Sequence, residues 1–268
     1  MIYRAIKEFE FSVIGMGTWK TFDVISPTDI TLRQDIIENC FASGTNLIDS
    51  SPMYGESEKV VGQTTAKYKD KFKFATKVWT QGERQGVDQI ERSFNLLETN
   101  FIHLLQIHNL VDWESHLPAL RRLKEEKRIG LIGVSCMNPN DYPLLIRIME
   151  TENIDSIQIP YNVKNKLVEK DVLNICKDLG IGVLAMEPLN KGKIVGDRNN
   201  RIESQPALIE LGLKTWAQAC LAWVISNPII TSAIPATSKP ARILENSKSA
   251  VILDQDTRDL IEFLSNNS

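Results

Sequence analysis

Residues 104–135, LLQIHNLVDWESHLPALRRLKEEKRIGLIGVS, decide the fold because they contain two apolar runs separated by an amphipathic segment. The runs LLQIH and LIGVS have the length and composition of buried strands. Between them, Leu117, Leu120 and Leu123 form one apolar stripe of a helix, and Gly130 stands where that helix should stop. The order strand, helix, strand predicts one unit of a parallel α/β protein.

The same alternation recurs along the whole chain. Short apolar runs follow one another about every 25 to 33 residues, with about 49 residues before the last run. The runs are VIGMG near residue 15, NLIDS near 48, FATKV near 76, LLQIH near 106, LIGVS near 133, IQIP near 158, GVLAM near 184 and TSAIP near 233. Eight such units predict an α/β fold with a single (β/α)₈ TIM barrel.

Further boundaries complete this prediction. Tyr3 to Val13 alternates and predicts an N-terminal β-hairpin that closes the barrel floor, and Thr257 to Leu264 predicts an extra C-terminal helix. Gly44 and Gly180 stand where helices should end. Two more apolar stripes predict helices, namely Leu32, Ile36, Ile37, Cys40 and Phe41, and Ile90, Phe94 and Leu97. Because no linker or change of composition divides the chain, we expect one domain over residues 1–268.

The longest uncharged stretch, Thr215 to Ser238, has 24 residues, enough to cross a bilayer in length alone. Polar residues and a proline interrupt it, including Asn227-Pro228. We therefore predict a buried helix over Trp216 to Ile225, a turn, and a strand over Ile229 to Ala236.

Composition limits the partners. The chain of 268 residues is 43% hydrophobic and 24% charged, and its formal net charge is −3, from 31 Lys and Arg against 34 Asp and Glu. This balance provides neither a basic nucleic-acid surface nor a polybasic membrane patch, so we expect a small-molecule ligand. We expect a monomer, with an oligomer left open.

Redox state and location are predicted from the cysteines and the N-terminus. The four cysteines are far apart with no CxxC pair, and MIYRAIKEFEF has no apolar run long enough for a signal peptide. We therefore expect a cytoplasmic protein with reduced thiols. The three histidines have no metal-ligand spacing, so no metal site is expected.

Polar side chains end three neighbouring predicted strands. Asp49, Lys77 and His108 each end a strand, and Tyr54 follows in the loop after the second strand. Barrel active sites form where the carboxyl ends of strands meet, so these residues should converge. Any one of them alone would also fit a core ion pair, a buried histidine or a loop aromatic. Four of complementary chemistry at one end favour a catalytic site.

Together with IGMGTWK, SPMYGESE, ATKVW, LLQIH and IPATSKPARILEN, these residues resemble the aldo-keto reductase family over nearly the whole chain. The resemblance implies a reductase that converts aldehydes or ketones to alcohols. In it Tyr54 is the general acid, Lys77 and Asp49 tune its acidity, and His108 orients the carbonyl. An ammonium at about 4 Å supplies about 4 kcal/mol, so we expect the pKa of Tyr54 to fall from about 10 toward 7.

A basic helix start predicts the cofactor site. Lys239 and Arg242 lie beside the N-terminus of a helix beginning near Pro240, where a bound anion would offset their charge. The resemblance implies that this anion is the 2′-phosphate of NADPH. It assigns to the phosphate end Thr237, Ser238, Lys239 and Arg242, to the adenine Glu245 and Asn246, and to the nicotinamide Gly17, Thr18, Trp19, Ser135, Cys136 and Gln158. Cys136 stands where the family usually has Asn, so one carboxamide hydrogen bond should be weakened or replaced.

Trp19, Trp79 and Trp113 follow the first, third and fourth strands and predict an apolar wall for the substrate, with loop packing as the alternative. Family members with a long C-terminal tail shape the pocket with it, so the resemblance implies an open pocket here. Two other functions remain open: an NADPH-binding regulatory barrel with little turnover, and a Schiff-base aldolase that uses Lys77.

Overall fold

Within residues 1–196 and 200–267, which the computed structural model describes, an antiparallel hairpin precedes an eight-stranded parallel sheet. The hairpin pairs β1 (Tyr3–Ile6) with β2 (Phe9–Ser12). The parallel strands lie in chain order and are β3 (Met16–Gly17), β4 (Leu47–Asp49), β5 (Lys73–Val78), β6 (Ile102–Ile107), β7 (Ile129–Ser135), β8 (Ser156–Pro160), β9 (Gly182–Met186) and β10 (Ile230–Ala233). The predicted hairpin and all eight predicted strands are confirmed.

The first and last parallel strands meet and close the barrel. The amide of Gly15 donates to the carbonyl of Ala233 at 2.8 Å, and the amide of Gly17 donates to the carbonyl of Pro235 at 3.1 Å. A Cβ atom at Gly17 would lie 2.9 Å from the carbonyl oxygen of Ile234, so only glycine allows this close approach. The predicted (β/α)₈ barrel is therefore confirmed.

Helices cover the outside of the barrel between the strands. They are α1 (Pro27–Ser43), α2 (Ser57–Thr65), α3 (Glu83–Leu96), α4 (Trp113–Glu125), α5 (Tyr142–Thr151), α6 (Val172–Leu179), α7 (Asn200–Glu203), α8 (Pro206–Glu210), α9 (Trp216–Ile225), α10 (Pro240–Ser247) and α11 (Gln255–Asn266). Gly44 ends α1 and Gly180 ends α6, both in the left-handed conformation, as predicted. The predicted extra C-terminal helix corresponds to α11.

Both faces of the parallel strands are buried, which explains their nearly continuous apolar sequence. Leu47, Ala75 and Leu104 point into the barrel, and Ile6 and Phe11 of the hairpin pack against this inner layer. The alternate strand residues face the helices and join the larger core cluster. Because the hairpin fills the floor, the open end of the barrel is the one where the strands terminate.

Two predicted details of the helices are wrong. Leu32 and Phe41 are exposed on α1, with 39% and 45% of their surface accessible, because Phe41 stacks on Tyr68 outside the core. Gly130 does not end α4, which stops at Glu125, but lies in β7. A Cβ atom at Gly130 would lie 2.5 Å from the ring of Phe9, so this glycine makes room for the hairpin.

The uncharged stretch folds largely as predicted. Helix α9 spans Trp216–Ile225 and is buried along its whole length, but the following strand is shorter than Ile229 to Ala236. Thr215 caps α9 in a reciprocal arrangement with Gln218. Among the described residues, no helix combines the length and apolar character needed to span a membrane.

Candidate active site

A cavity of about 700 Å³ opens at the carboxyl ends of the parallel strands. Its lining includes residues at or just after the ends of β3, β4, β6, β8, β9 and β10. Of the residues predicted for the site, it contains Gly17, Thr18, Trp19, Asp49, Tyr54, His108, Gln158, Thr237, Ser238, Lys239, Arg242 and Asn246. The strand-end rule therefore placed most of the candidate residues at one cavity.

Asp49 and Lys77 form a buried ion pair beneath this cavity. The ammonium of Lys77 donates to Oδ1 of Asp49 at 2.9 Å, to Oδ2 at 2.8 Å and to the carbonyl of Ser50 at 2.8 Å. The side-chain amides of Gln106 and Gln158 each donate to Asp49 at 3.3 Å. Burial by itself lowers the pKa of Lys77, but Asp49 and Tyr54 outweigh it and raise that pKa above its ordinary value. Lys77 is therefore a charged group held in a dry place.

Tyr54 lies above the ion pair. The Nζ atom of Lys77 is 5.5 Å from the centroid of the Tyr54 ring, and the centroid of the His108 ring is 6.0 Å away, nearly perpendicular to it. Burial raises the pKa of the Tyr54 hydroxyl; Lys77 lowers it and Asp49 raises it, and the sum lies above the ordinary value. The expected fall of this pKa toward 7 is therefore wrong for the protein by itself, because loss of hydration outweighs the nearby ammonium. Tyr54 is protonated at neutral pH and can donate a proton.

His108 begins a tight turn directly after β6. The next residue, Asn109, has a φ of 53°, and its amide donates to Oγ of Ser135 at 2.9 Å, which fixes the turn to β7. Burial and the charge of Lys77 lower the pKa of His108 to about 3. His108 is thus a neutral imidazole at neutral pH, able to donate one hydrogen bond and accept another.

The other end of the cavity is basic. Lys239 and Arg242 line it at the start of α10, together with Thr237, Ser238 and Asn246. The amide of Lys239 donates to Oγ1 of Thr237 at 3.1 Å, which orders the entry to the helix. Two cations beside a helix N-terminus form an environment that attracts a phosphate group.

Gln158 presents an acceptor in the middle of the cavity. Its Nε2 donates to Asp49, whereas its buried Oε1 has no hydrogen-bond partner in the described part of the chain. A buried acceptor without a partner loses free energy, so a ligand amide that donates to Oε1 would be stabilised here. The cavity thus offers a phosphate site at one end and an amide site near Tyr54 and His108.

Three residues predicted to bind the cofactor do not line the cavity. Ser135 is buried and accepts the amide of Asn109, while Cys136 is buried and its thiol donates to the carbonyl of Asn138 at 3.4 Å. Glu245 accepts the hydroxyl of Thr215 at 2.8 Å and so joins α10 to the start of α9. Each of these side chains has a local protein partner instead of a place facing the cavity.

The predicted wall of three tryptophans is also wrong. Only Trp19 of the three lies at the cavity, where the ammonium groups of Lys20 and Lys191 approach its ring at 4.6 and 5.7 Å. Trp79 is exposed outside the cavity, and Trp113 starts α4 and packs against the core. Loop packing, the alternative interpretation, describes Trp79 and Trp113.

Sequence reasoning missed several lining residues. They include Met53, Asn109, Met137, Met186 and Glu187. Met186 ends β9 and Glu187 follows it, so the rule that barrel sites form at strand ends could have indicated both. Asn109 carried no comparable signal, since its position in the cavity depends on the turn that follows His108.

The thiols and histidines do not form a metal centre in the described residues. No group of three or more His, Cys, Asp or Glu side chains there is placed to hold a metal ion. All four cysteines, Cys40, Cys136, Cys176 and Cys220, are buried, as expected for thiols that pack as small apolar groups.

Comparison with known proteins agrees with this geometry. The model of the Aldo/keto reductase family matches residues 13–264. Methylglyoxal reductase YeaE of Escherichia coli is 27% identical over 87% of this chain and 84% of its own length, and the NADH-specific methylglyoxal reductase of the same organism is 24% identical over 89% and 90%. An aldo-keto reductase from Klebsiella pneumoniae, solved in complex with NADPH, has the same fold, with a TM-score of 0.82 at 23% identity over 99% of this chain and 96% of its own. With its family model matching from the first parallel strand into the last helix, this chain belongs to the aldo/keto reductase family.

Proposed function

We propose that this protein is an NADPH-dependent reductase of aldehydes or ketones and works as one barrel domain. The observation that carries the proposal is the meeting of Asp49, Lys77, Tyr54 and His108 from separate elements at one end of a cavity. A buried ion pair would stabilise a barrel without the tyrosine or the histidine. Their presence above it supports proton transfer to a bound carbonyl.

The residues of the cavity fit the proposed cofactor. Lys239 and Arg242 would hold the 2′-phosphate, and the free acceptor of Gln158 would receive the carboxamide of the nicotinamide. Gly17 leaves the backbone bare at this wall. A similar structure contains NADPH, whereas one similar relative is named NADH-specific, so the preference must be measured for this chain.

Bound NADPH would supply a hydride to the carbonyl carbon. Neutral His108 donates a hydrogen bond to the carbonyl oxygen and orients it, and protonated Tyr54 gives its proton to that oxygen. Lys77 then stabilises the phenolate left on Tyr54, while Asp49 keeps Lys77 charged. The high pKa of Tyr54 suits this direction, because the acid must hold its proton until the reaction begins.

The two other functions are less well supported. A Schiff-base aldolase needs a neutral amine, but all three protons of Lys77 are donated to oxygen atoms and its pKa is raised. A regulatory barrel was favoured by Cys136, but that thiol lies outside the cavity and removes no contact from it.

The test is NADPH oxidation with a panel of aldehydes, such as nitrobenzaldehyde and methylglyoxal. We expect Tyr54→Phe to lower kcat by at least about 100-fold, since a positioned proton donor contributes about that factor or more. Binding of NADPH, followed by tryptophan fluorescence, should not change. Tyr68→Phe, in a tyrosine stacked on Phe41 outside the cavity, is the matched control and should keep its activity. Equal rates in the wild type and Tyr54→Phe would reject the mechanism, and NADPH binding without turnover of any carbonyl would favour the regulatory barrel.

A further inference from the structure

His108 has a buried neighbour that the mechanism above does not use. Ser51 lies in the loop between Asp49 and Tyr54 and has none of its surface exposed. Its hydroxyl oxygen is 3.1 Å from Nδ1 of His108. In the described residues no group hydrogen-bonds the other ring nitrogen of His108, Nε2, so that nitrogen remains available to a ligand in the cavity.

A neutral imidazole carries its single proton on either Nδ1 or Nε2. Only the form with the proton on Nε2 can donate a hydrogen bond through Nε2 to a carbonyl oxygen. The other form would point a lone pair at that oxygen and repel it. The proposed function therefore requires one of the two tautomers, and the hydrogen bond at Nδ1 decides which one is present.

The surroundings of Ser51 determine the direction of that hydrogen bond. The amide of Met53 donates to Oγ of Ser51 at 3.4 Å, so this oxygen already accepts one bond. If Nδ1–H of His108 also donated to it, the hydroxyl proton of Ser51 would have no acceptor within the described residues and would be buried without a partner. With the opposite direction, Ser51 donates to Nδ1 and every group is satisfied.

We propose that Ser51 is a positioning residue that donates its hydroxyl proton to Nδ1 of His108 and thereby fixes the proton of the imidazole on Nε2, facing the substrate carbonyl. This inference rests on the proposed function for its catalytic consequence. Its structural part concerns the protein alone, and the charged and titratable neighbours of the ring, Lys77 and Tyr54, are the same in both tautomers.

The direct test is nitrogen-15 NMR of the protein without ligands, labelled only in its histidines. The chain has 3 histidines, and the signals of His108 are assigned by their loss in His108→Gln. We expect the wild type to show the proton on Nε2, and Ser51→Ala to show a mixture of tautomers or the proton on Nδ1. Ser50→Ala is the matched control, because the hydroxyl of this neighbouring buried serine contacts Thr18 and should not affect the imidazole signals. A wild-type proton on Nδ1, or unchanged signals in Ser51→Ala, would overturn the proposal.

Kinetics provide the second readout. We expect Ser51→Ala to lower kcat with an aldehyde by about fivefold to tenfold, the effect of one neutral hydrogen bond, with KM for NADPH unchanged. Ser51→Thr keeps a hydroxyl and should restore most of the rate. Ser156→Ala, at an equally buried serine at the start of β8 and remote from the cavity, should behave as wild type. An unchanged kcat in Ser51→Ala would contradict the catalytic consequence.

The failures of the two proposals can be told apart. If the wild type reduces no carbonyl but Ser51→Ala changes the His108 tautomer, the function is wrong and the role of Ser51 stands. If the wild type is an active reductase and neither the tautomer nor kcat depends on Ser51, the inference alone is rejected. Circular dichroism of Ser51→Ala and Ser51→Thr shows whether each variant is folded before either result is used.

Discussion

Lys77 and Asp49 are joined by two hydrogen bonds of 2.9 and 2.8 Å in a place where neither side chain is more than 3% exposed. Desolvating two charges is costly, and their mutual attraction offsets that cost only while both are present. The pair therefore makes the stability of the barrel depend on the same residues that are proposed to act on Tyr54.

Removing one partner should be strongly destabilising. We expect Lys77→Met to lower the free energy of unfolding by about 3–5 kcal/mol, because Asp49 is left as an unpaired buried charge. The double variant Asp49→Asn with Lys77→Met should recover part of this loss, which urea denaturation measures. Lys59→Met is the matched control, since Lys59 pairs with Glu56 at the surface and should change stability by less than about 1 kcal/mol. A double variant less stable than Lys77→Met would contradict the explanation.

The basic end of the cavity should select the phosphorylated cofactor. We expect Arg242→Ala to weaken NADPH binding by about tenfold or more, because a hydrogen bond to a charged group contributes about 1.5–3 kcal/mol. Binding of NADH, which lacks the 2′-phosphate, should change little. Fluorescence titration with both cofactors measures this, and Lys248→Ala at the opposite end of α10 is the control. Equal losses for NADH and NADPH would show that Arg242 does not bind the 2′-phosphate.

Two exposed tryptophans should differ in their effect on the substrate. Trp19 and Trp79 are exposed to similar extents, 39% and 43%, but only Trp19 lines the cavity. We expect Trp19→Ala to raise KM for an aromatic aldehyde several-fold, since it loses an apolar contact surface worth about 1–2 kcal/mol. Trp79→Ala should leave KM unchanged. Steady-state kinetics on both variants is the measurement, and a larger effect at Trp79 would mean that the substrate lies outside this cavity.

His103 should make stability depend on pH. Burial and the charge of Lys73 lower its pKa to about 4, while an unfolded histidine titrates near 6.5. Between these values the unfolded chain binds more protons than the native chain, so the free energy of unfolding falls as the pH falls from about 6.5 toward 4.

Replacing this histidine should reduce that dependence. We expect His103→Gln to lose about 2 kcal/mol of the decrease in unfolding free energy between about pH 7 and pH 5. Glutamine keeps an acceptor for the amide of Phe74, which donates to Nδ1 of His103 at 3.2 Å. Urea denaturation of both proteins at several pH values provides the measurement. An identical pH dependence would show that His103 titrates alike in the native and unfolded chains.

The fold and much of the site could be predicted because the relevant signals are local. A buried strand is apolar on both faces, so each strand was visible as a run of apolar residues. Asp49 and His108 stand out because each is a polar residue at the end of such a run. Gly130 was misassigned since its reason is a contact with Phe9, which is far away in the chain.

The direction in which side chains face could not be predicted. Cys136, Glu245 and Trp79 have suitable positions along the chain, but their side chains point toward local partners or solvent and not into the cavity. Asn109 enters the cavity through a left-handed turn that no neighbouring glycine or proline indicates. These outcomes depend on loop conformations, which packing against other elements determines.

The sequence by itself determined the barrel, the order of its strands and the end at which Asp49, Lys77 and His108 meet, because periodicity and strand direction are properties of short segments. Only the tertiary structure decided that burial outweighs Lys77 and raises the pKa of Tyr54. It also decided that Ser51 contacts His108, which lies on another strand's end. Both depend on how closely distant segments approach and exclude water, and no local pattern of residues encodes those distances.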